Sequence, residues 1–270
     1  MFTLAIVSGI VLQIGAIAVG AIILYSPEVL AHAIVKQKAM NETQEKIYQH
    51  RGKSIPISGT SERDIDDIRH NFRIVIDPGH GGKDGGVQGP NGTRESEVVL
   101  QISHILRVEL EARGAHVVMT RDNEERLADS NARHKQRSDI LNRHEIIEQT
   151  QPDLVVSIHL NSFPAQRTVK GLQVFYQKGS AKNVNIGKNF AHAIQTKINA
   201  EDLFTKKRNA MPGDYLILET AYPSVLVECG FLSNPEEEQK LVNEKYQKKL
   251  ARHIADAIIE TLEIGENYLF

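Results

Sequence analysis

From Phe72 onward, short β-branched apolar runs alternate with longer segments of helical spacing, and this alternation constrains the fold more than any other feature of the sequence. Residues 72–76, 117–119, 154–158, 172–176 and 225–227 read as strands, and 98–110, 128–148, 186–198 and 236–262 read as helices. Strands that alternate with helices need a sheet covered on both faces. The expected fold class is therefore α/β: a single domain with a mixed, mostly parallel twisted sheet flanked by helices, preceded by an N-terminal hydrophobic helix. The 270 residues, 41% hydrophobic, hold one substantial core once the N-terminal segment is set aside.

That segment bears on location. Residues 1–27 carry no charged side chain, and only Thr3, Ser8 and Gln13 interrupt the apolar run from Phe2 to Tyr25. A helix of about 20 such residues spans a bilayer, whereas the apolar part of a signal peptide runs to about 7–15. Length favours a retained membrane anchor, although Ala31-His32-Ala33 loosely resembles a small-x-small cleavage site and no Lys or Arg precedes the run to set its orientation. Residues 28–71 are expected to form a polar linker and 72–265 the folded domain, which lies outside the cytoplasm, membrane-anchored or, after cleavage, secreted. The formal net charge of −2 gives no bulk attraction to nucleic acid, so none is expected as a partner. The single cysteine, Cys229, excludes an internal disulfide framework.

In open α/β sheets ligands gather where strands end, and three strand ends here are chemically loaded. The first reads Asp77-Pro78-Gly79-His80-Gly81-Gly82-Lys83-Asp84-Gly85-Gly86, with His80 among five glycines within eight residues. A glycine-rich loop after a strand can cradle phosphate, but this one lacks the Gly-Lys-Ser/Thr ending of a phosphate loop and the G-x-G-x-x-G order of a dinucleotide site. Metal ligation is the better use of its histidine. His159 closes the buried run from Leu154 to Ile158; alone it would read as a hydrogen-bonded core histidine. Glu95, in the loop that opens a helix beginning near Glu97, shifts the balance. Two histidines and one glutamate leave a fourth tetrahedral position for water, as in catalytic zinc sites.

Glu228 follows the run Val225 to Val227, where a carboxylate is costly unless it pairs, binds metal or moves protons. It is the candidate general base for water activation, with a buried salt bridge as the alternative. Cys229 reads as packing, with a zinc thiolate second. His144-Glu145-Ile146-Ile147-Glu148 nearly spells H-E-x-x-H but lacks the second histidine, and a solvated helix face explains it better. His70, His104, His116, His134, His192 and His253 show no ligand-like context.

Taken together, Asp77-Pro78-Gly79-His80-Gly81-Gly82, Glu95 ahead of Val98-Val99-Leu100, Thr120-Arg121, Ser157-Ile158-His159-Leu160-Asn161-Ser162 and Val225 through Pro235 resemble, in order, the motifs of the zinc-dependent N-acetylmuramoyl-L-alanine amidases of the amidase-3 type. The resemblance runs from about residue 72 to 262. It implies a zinc ion on His80, Glu95 and His159, Glu228 as the catalytic carboxylate, and hydrolysis of the amide joining muramic acid to L-alanine in peptidoglycan. A hydrophobic segment before a bare catalytic domain, without appended wall-binding repeats, is similar to the germination-specific amidases that act on spore cortex. The stretch from Tyr215 to Pro223 departs from the pattern, being about one residue short and lacking a basic residue often found there. A zinc peptidase or deacetylase acting on another cell-wall amide is the alternative; a non-catalytic wall-binding module would have no reason to keep Glu228 beside an open metal position. An activating protein partner is left open by the sequence.

Overall fold

The computed structural model describes residues 72–201 and 203–268. The N-terminal segment at 1–27 and the linker at 28–71 lie outside the described residues; among the described residues, no helix is long and apolar enough to cross a membrane. In chain order the elements are β1 (Arg73–Pro78), α1 (Glu95–Glu111), β2 (His116–Met119), α2 (Lys135–Thr150), β3 (Leu154–Asn161), β4 (Gln173–Gln177), α3 (Lys182–Ala200), β5 (Met211–Gly213), a 3-10 turn (Leu216–Leu218), β6 (Ser224–Phe231), α4 (Pro235–Leu241) and α5 (Glu244–Tyr268). The six strands form one sheet in the order β2-β1-β3-β6-β4-β5. All neighbours run parallel except β4 against β6, so the expected mixed, mostly parallel sheet is present.

Period-two alternation sends successive side chains to opposite faces. Ile74, Ile76, Val156, Ile158, Val225 and Val227 pack with α1, α3 and α5 in the larger core. The intervening Val75, Val155 and Leu226 meet Ile147 of α2 and Ile217 and Leu218 of the 3-10 turn in a smaller one. By the same alternation Asp77, Ser157, His159 and Glu228 lie on the thinner face, towards the carboxyl ends of their strands. Register reinforces this, since Asp77 pairs with Ser157 and His159 with Glu228 across adjacent strands.

Several boundaries differ from expectation. The expected helix at 128–148 begins only at Lys135, because its buried stripe is Asp139, Arg143 and Ile147, two of them charged, and apolar spacing does not mark its start. The expected 236–262 helix is two: α4 ends at Leu241, and Asn243, whose Oδ1 accepts the Tyr246 N–H at 3.2 Å, starts α5 anew. Glu95 is the first residue of α1 rather than part of a preceding loop. The three-residue β5, which contains Pro212 and sits at the sheet edge, was not foreseen.

Candidate metal centre

The loop after β1 turns sharply to present His80. His80 takes a left-handed backbone conformation, φ 60°, which L residues adopt at a cost on the order of 1 kcal/mol and which clusters at functional sites. Paired backbone hydrogen bonds between Gly81 and Asp84, 2.9 and 3.1 Å, close the turn. The turn sets Asp84 Oδ1 3.0 Å from His80 Nδ1, leaving Nε2 to face Glu95 Oε2 at 3.2 Å. The other Glu95 oxygen lies 3.0 Å from His159 Nδ1. Backbone amides of Val87 and Leu160 donate to the two Glu95 oxygens at 2.9 Å each. The two imidazole rings stand edge to face, centroids 5.1 Å apart.

Close backbone approach is needed here. A Cβ on Gly79 would lie 2.3 Å from the His159 ring, and one on Gly86, φ 66°, would lie 2.4 Å from Glu95 Oε2. Glycine at both positions leaves the imidazole and the carboxylate their places.

His80, Glu95 and His159 each offer a donor atom within 4.8 Å of the others. Ligands about 2.0–2.1 Å from a tetrahedral ion stand about 3.3 Å from one another; His80 Nε2 lies 3.2 Å from Glu95 Oε2 and His159 Nδ1 3.0 Å from the other oxygen, Oε1. Two imidazoles and a carboxylate form a donor set suited to a divalent metal. Burial pushes the Glu95 carboxyl up, but hydrogen bonds and charge from His159 and His80 outweigh it and hold the group well below the usual carboxylate range. Glu95 would therefore offer a cation an already deprotonated oxygen.

Glu228 stands beside this trio on β6. Burial pushes its carboxyl up to about 7, against the pull of His159 and His80 and with the push of Glu95. Its Oε2 is buried with no hydrogen-bond partner, and no ion pair to Glu228 is found among the described residues, so the salt-bridge reading finds no support there. A carboxyl poised near neutrality beside a metal-type cluster has the properties of a proton shuttle. Cys229 points to the opposite face into the larger core, where burial raises its thiol pKa far above the usual range; it is packing, not a ligand.

A cleft of ≈ 300 Å³ opens beside the two imidazoles, its further walls including Arg126, Ile140, Tyr215 and Leu216. Tyr215, just ahead of the 3-10 turn, has its phenol pushed up to about 12 by burial and by the charge of Glu228. The stretch 215–223 thus contributes a wall of the cleft. His144 is no ligand: its Nε2 donates to the Leu216 carbonyl at 3.0 Å, and Glu145 and Glu148 are exposed, as a solvated helix face requires.

Beneath the loop lies a charged network whose members Asp77, Thr120 and Ser157 stand in the sequence motifs without an assigned role, and whose Arg143 the sequence did not single out. Asp77 Oδ1 accepts from Thr120 Oγ1 and Arg143 Nη1 at 2.7 Å each, and its Oδ2 accepts from Ser157 Oγ at 2.7 Å. Burial opposes its ionisation, but the Arg143 charge and these three hydrogen bonds bring the carboxyl down to about 2. The available signal was an acidic residue at the end of a buried strand, of the same kind that marked Glu228.

The family profile described as N-acetylmuramoyl-L-alanine amidase matches residues 74–260. The chain is 35% identical over 189 residues to the germination-specific N-acetylmuramoyl-L-alanine amidase of Bacillus subtilis, spanning 69% of this chain and 78% of that protein. Its fold is similar to that of the CwlD amidase from Clostridioides difficile, solved in complex with the GerS lipoprotein: TM-score 0.67, 35% identity, 72% of this chain and 100% of that one. The amidase AmiC2 of Nostoc punctiforme matches with a TM-score of 0.62 and 31% identity over 71% of this chain and 97% of its own.

Proposed function

The chain belongs to the N-acetylmuramoyl-L-alanine amidase family, which hydrolyses the amide between N-acetylmuramic acid and L-alanine in peptidoglycan, and we propose that it does so with a zinc ion held by His80, Glu95 and His159 and with Glu228 as general base. The observation that carries this reading is the convergence of three donor atoms within 4.8 Å beside the Glu228 carboxylate, whose Oε2 is buried without a partner among the described residues.

When bound, zinc supplies Lewis acidity towards the scissile carbonyl and the attacking water. Glu95, fixed by the Val87 and Leu160 amides, holds a full negative charge between the imidazoles. Asp84 keeps the Nε2 of His80 turned inward. Glu228 takes a proton from the water as its oxygen adds to the lactyl carbonyl, then delivers that proton to the alanine nitrogen as the C–N bond breaks. The products are the lactyl carboxylic acid and a stem peptide with a free L-alanine amine. The cleft walled by Tyr215 and Leu216 receives the flanking substrate.

Spore cortex peptidoglycan is the proposed substrate, supported by the identity to the germination-specific relative. In this reading the catalytic domain, residues 72–265, works outside the cytoplasm, following a linker at 28–71 and a segment at 1–27 that serves as membrane anchor or, if cleaved, as signal. A protein partner belongs to this reading because the C. difficile relative was solved with a lipoprotein bound. The test is digestion of cortex and of vegetative peptidoglycan by the full chain. Muramic acid stripped of peptide in the cortex sample is expected; cleavage confined to vegetative wall would overturn the cortex assignment.

A further inference from the structure

Arg121 is buried, and unlike Arg143 it donates to no carboxylate among the described residues: all its acceptors there are backbone carbonyls. Its Nε donates to Pro78 O at 3.0 Å, and its Nη2 to both Gly79 O at 2.7 Å and Ser96 O at 3.0 Å. Gly79 precedes His80, and Ser96 follows Glu95. Arg143 Nη1 also donates to Pro78 O at 2.7 Å, and its Nη2 to His80 O at 2.6 Å, so two guanidinium groups together take three successive carbonyls of the loop. The chain of contacts continues through Asp77 to Ser157, two residues before His159.

Burying a cation without a direct carboxylate partner is costly, and two guanidinium groups meeting at one carbonyl oxygen add repulsion. Anchoring the loop to the core alone would not require the Ser96 contact, since Arg143 already ties the loop to Asp77 and Asp139. The Nη2 bridge does something else. It joins the segment carrying His80 to the first turn of the helix carrying Glu95.

We propose that Arg121 is a positioning residue that sets the separation of His80 from Glu95 by clamping Gly79 O to Ser96 O, with Asp77 and Ser157 extending the same frame to His159. This rests on the reading of those three residues as the zinc ligands. Groups that orient metal ligands contribute about 10–100-fold in metal affinity, while lysine, with a compact ammonium, cannot reproduce a planar fork.

The test is zinc affinity of the full chain, by competition with a chromophoric chelator, alongside the melting temperature of the metal-free protein. Arg121→Lys keeps the charge and is expected to weaken zinc binding 10–100-fold. Ile258→Ala is the control for general destabilisation: Ile258 is fully buried on α5 near Asp256, which pairs with Arg113 beyond the far end of α1. It should lower the melting temperature at least as much and leave zinc affinity unchanged. Equal zinc affinity in Arg121→Lys and wild type overturns the proposal, as does an equal loss in the control. If Arg121→Lys does not fold, Arg121→Gln, whose planar amide can still donate to one of the two carbonyls, decides the point, with a several-fold loss expected and none contradicting it. A wild-type chain that binds no zinc overturns the metal assignment itself, a result distinct from normal binding by both wild type and variant.

Discussion

Asp84 Oδ1 lies 3.0 Å from His80 Nδ1, an orienting contact made across the four-residue turn that the glycines allow. A carboxylate on the outer nitrogen fixes the ring and makes the inner nitrogen a better donor. Asp84→Ala is therefore expected to weaken zinc binding about 10–100-fold, measured by chelator competition, with Asp84→Asn recovering part of the loss by accepting the same hydrogen bond.

Glu228→Ala is expected to retain zinc at wild-type stoichiometry and to lose turnover by at least about 100-fold, whereas His80→Ala loses both. Metal analysis of the purified variants beside stem-peptide release checks the pair; near-normal turnover in Glu228→Ala would remove the general base from the mechanism.

The raised pKa of Glu228 also carries a stability consequence. Its carboxyl titrates near 7 when folded and near 4.5 in the unfolded chain, so the folded state binds the proton more tightly. The contribution is present below about 4.5 and is lost as pH rises through about 7. Metal-free Glu228→Gln, which has no proton to lose, should be more stable than metal-free wild type at pH 8, by on the order of 3 kcal/mol at most. The difference should vanish near pH 4.5, and denaturant titration at the two pH values reads it directly.

Gly79→Ala places a methyl group 2.3 Å from the His159 ring, and the ring must move. Overpacking of this kind costs about 1–3 kcal/mol. The expected result is a modest fall in melting temperature with a disproportionate loss of zinc affinity. Cys229→Ala, on the opposite face of the sheet, should show the reverse: about 1–2 kcal/mol of stability lost, with metal content and turnover intact.

Strand ends were legible in the sequence because a parallel sheet buried on both faces needs continuous apolar runs, and a histidine or carboxylate that ends such a run stands out. His80, His159 and Glu228 are site candidates on that signal; the structure places the two histidines with Glu95 and sets Glu228 within electrostatic reach of them. Helix α2 was blurred because its inward stripe includes Asp139 and Arg143, which satisfy each other at 2.9 Å and so need no apolar spacing. Asp84 was hidden for a different reason. Its role depends on a tight turn with a left-handed His80, and nothing in the residue types predicts which loop carboxylate will face the ring. Arg121 stood in the sequence only as part of the Thr120-Arg121 motif, and its role stayed hidden because contacts to backbone carbonyls leave no side-chain pattern to read.

The most direct measurement is release of stem peptides from purified peptidoglycan by the full chain, before and after chelation and again after zinc is restored. Peptides with a free L-alanine amino terminus should appear, stop with chelator and return with zinc. Release that continues undiminished in the fully metal-stripped protein would contradict the metal centre at His80, Glu95 and His159.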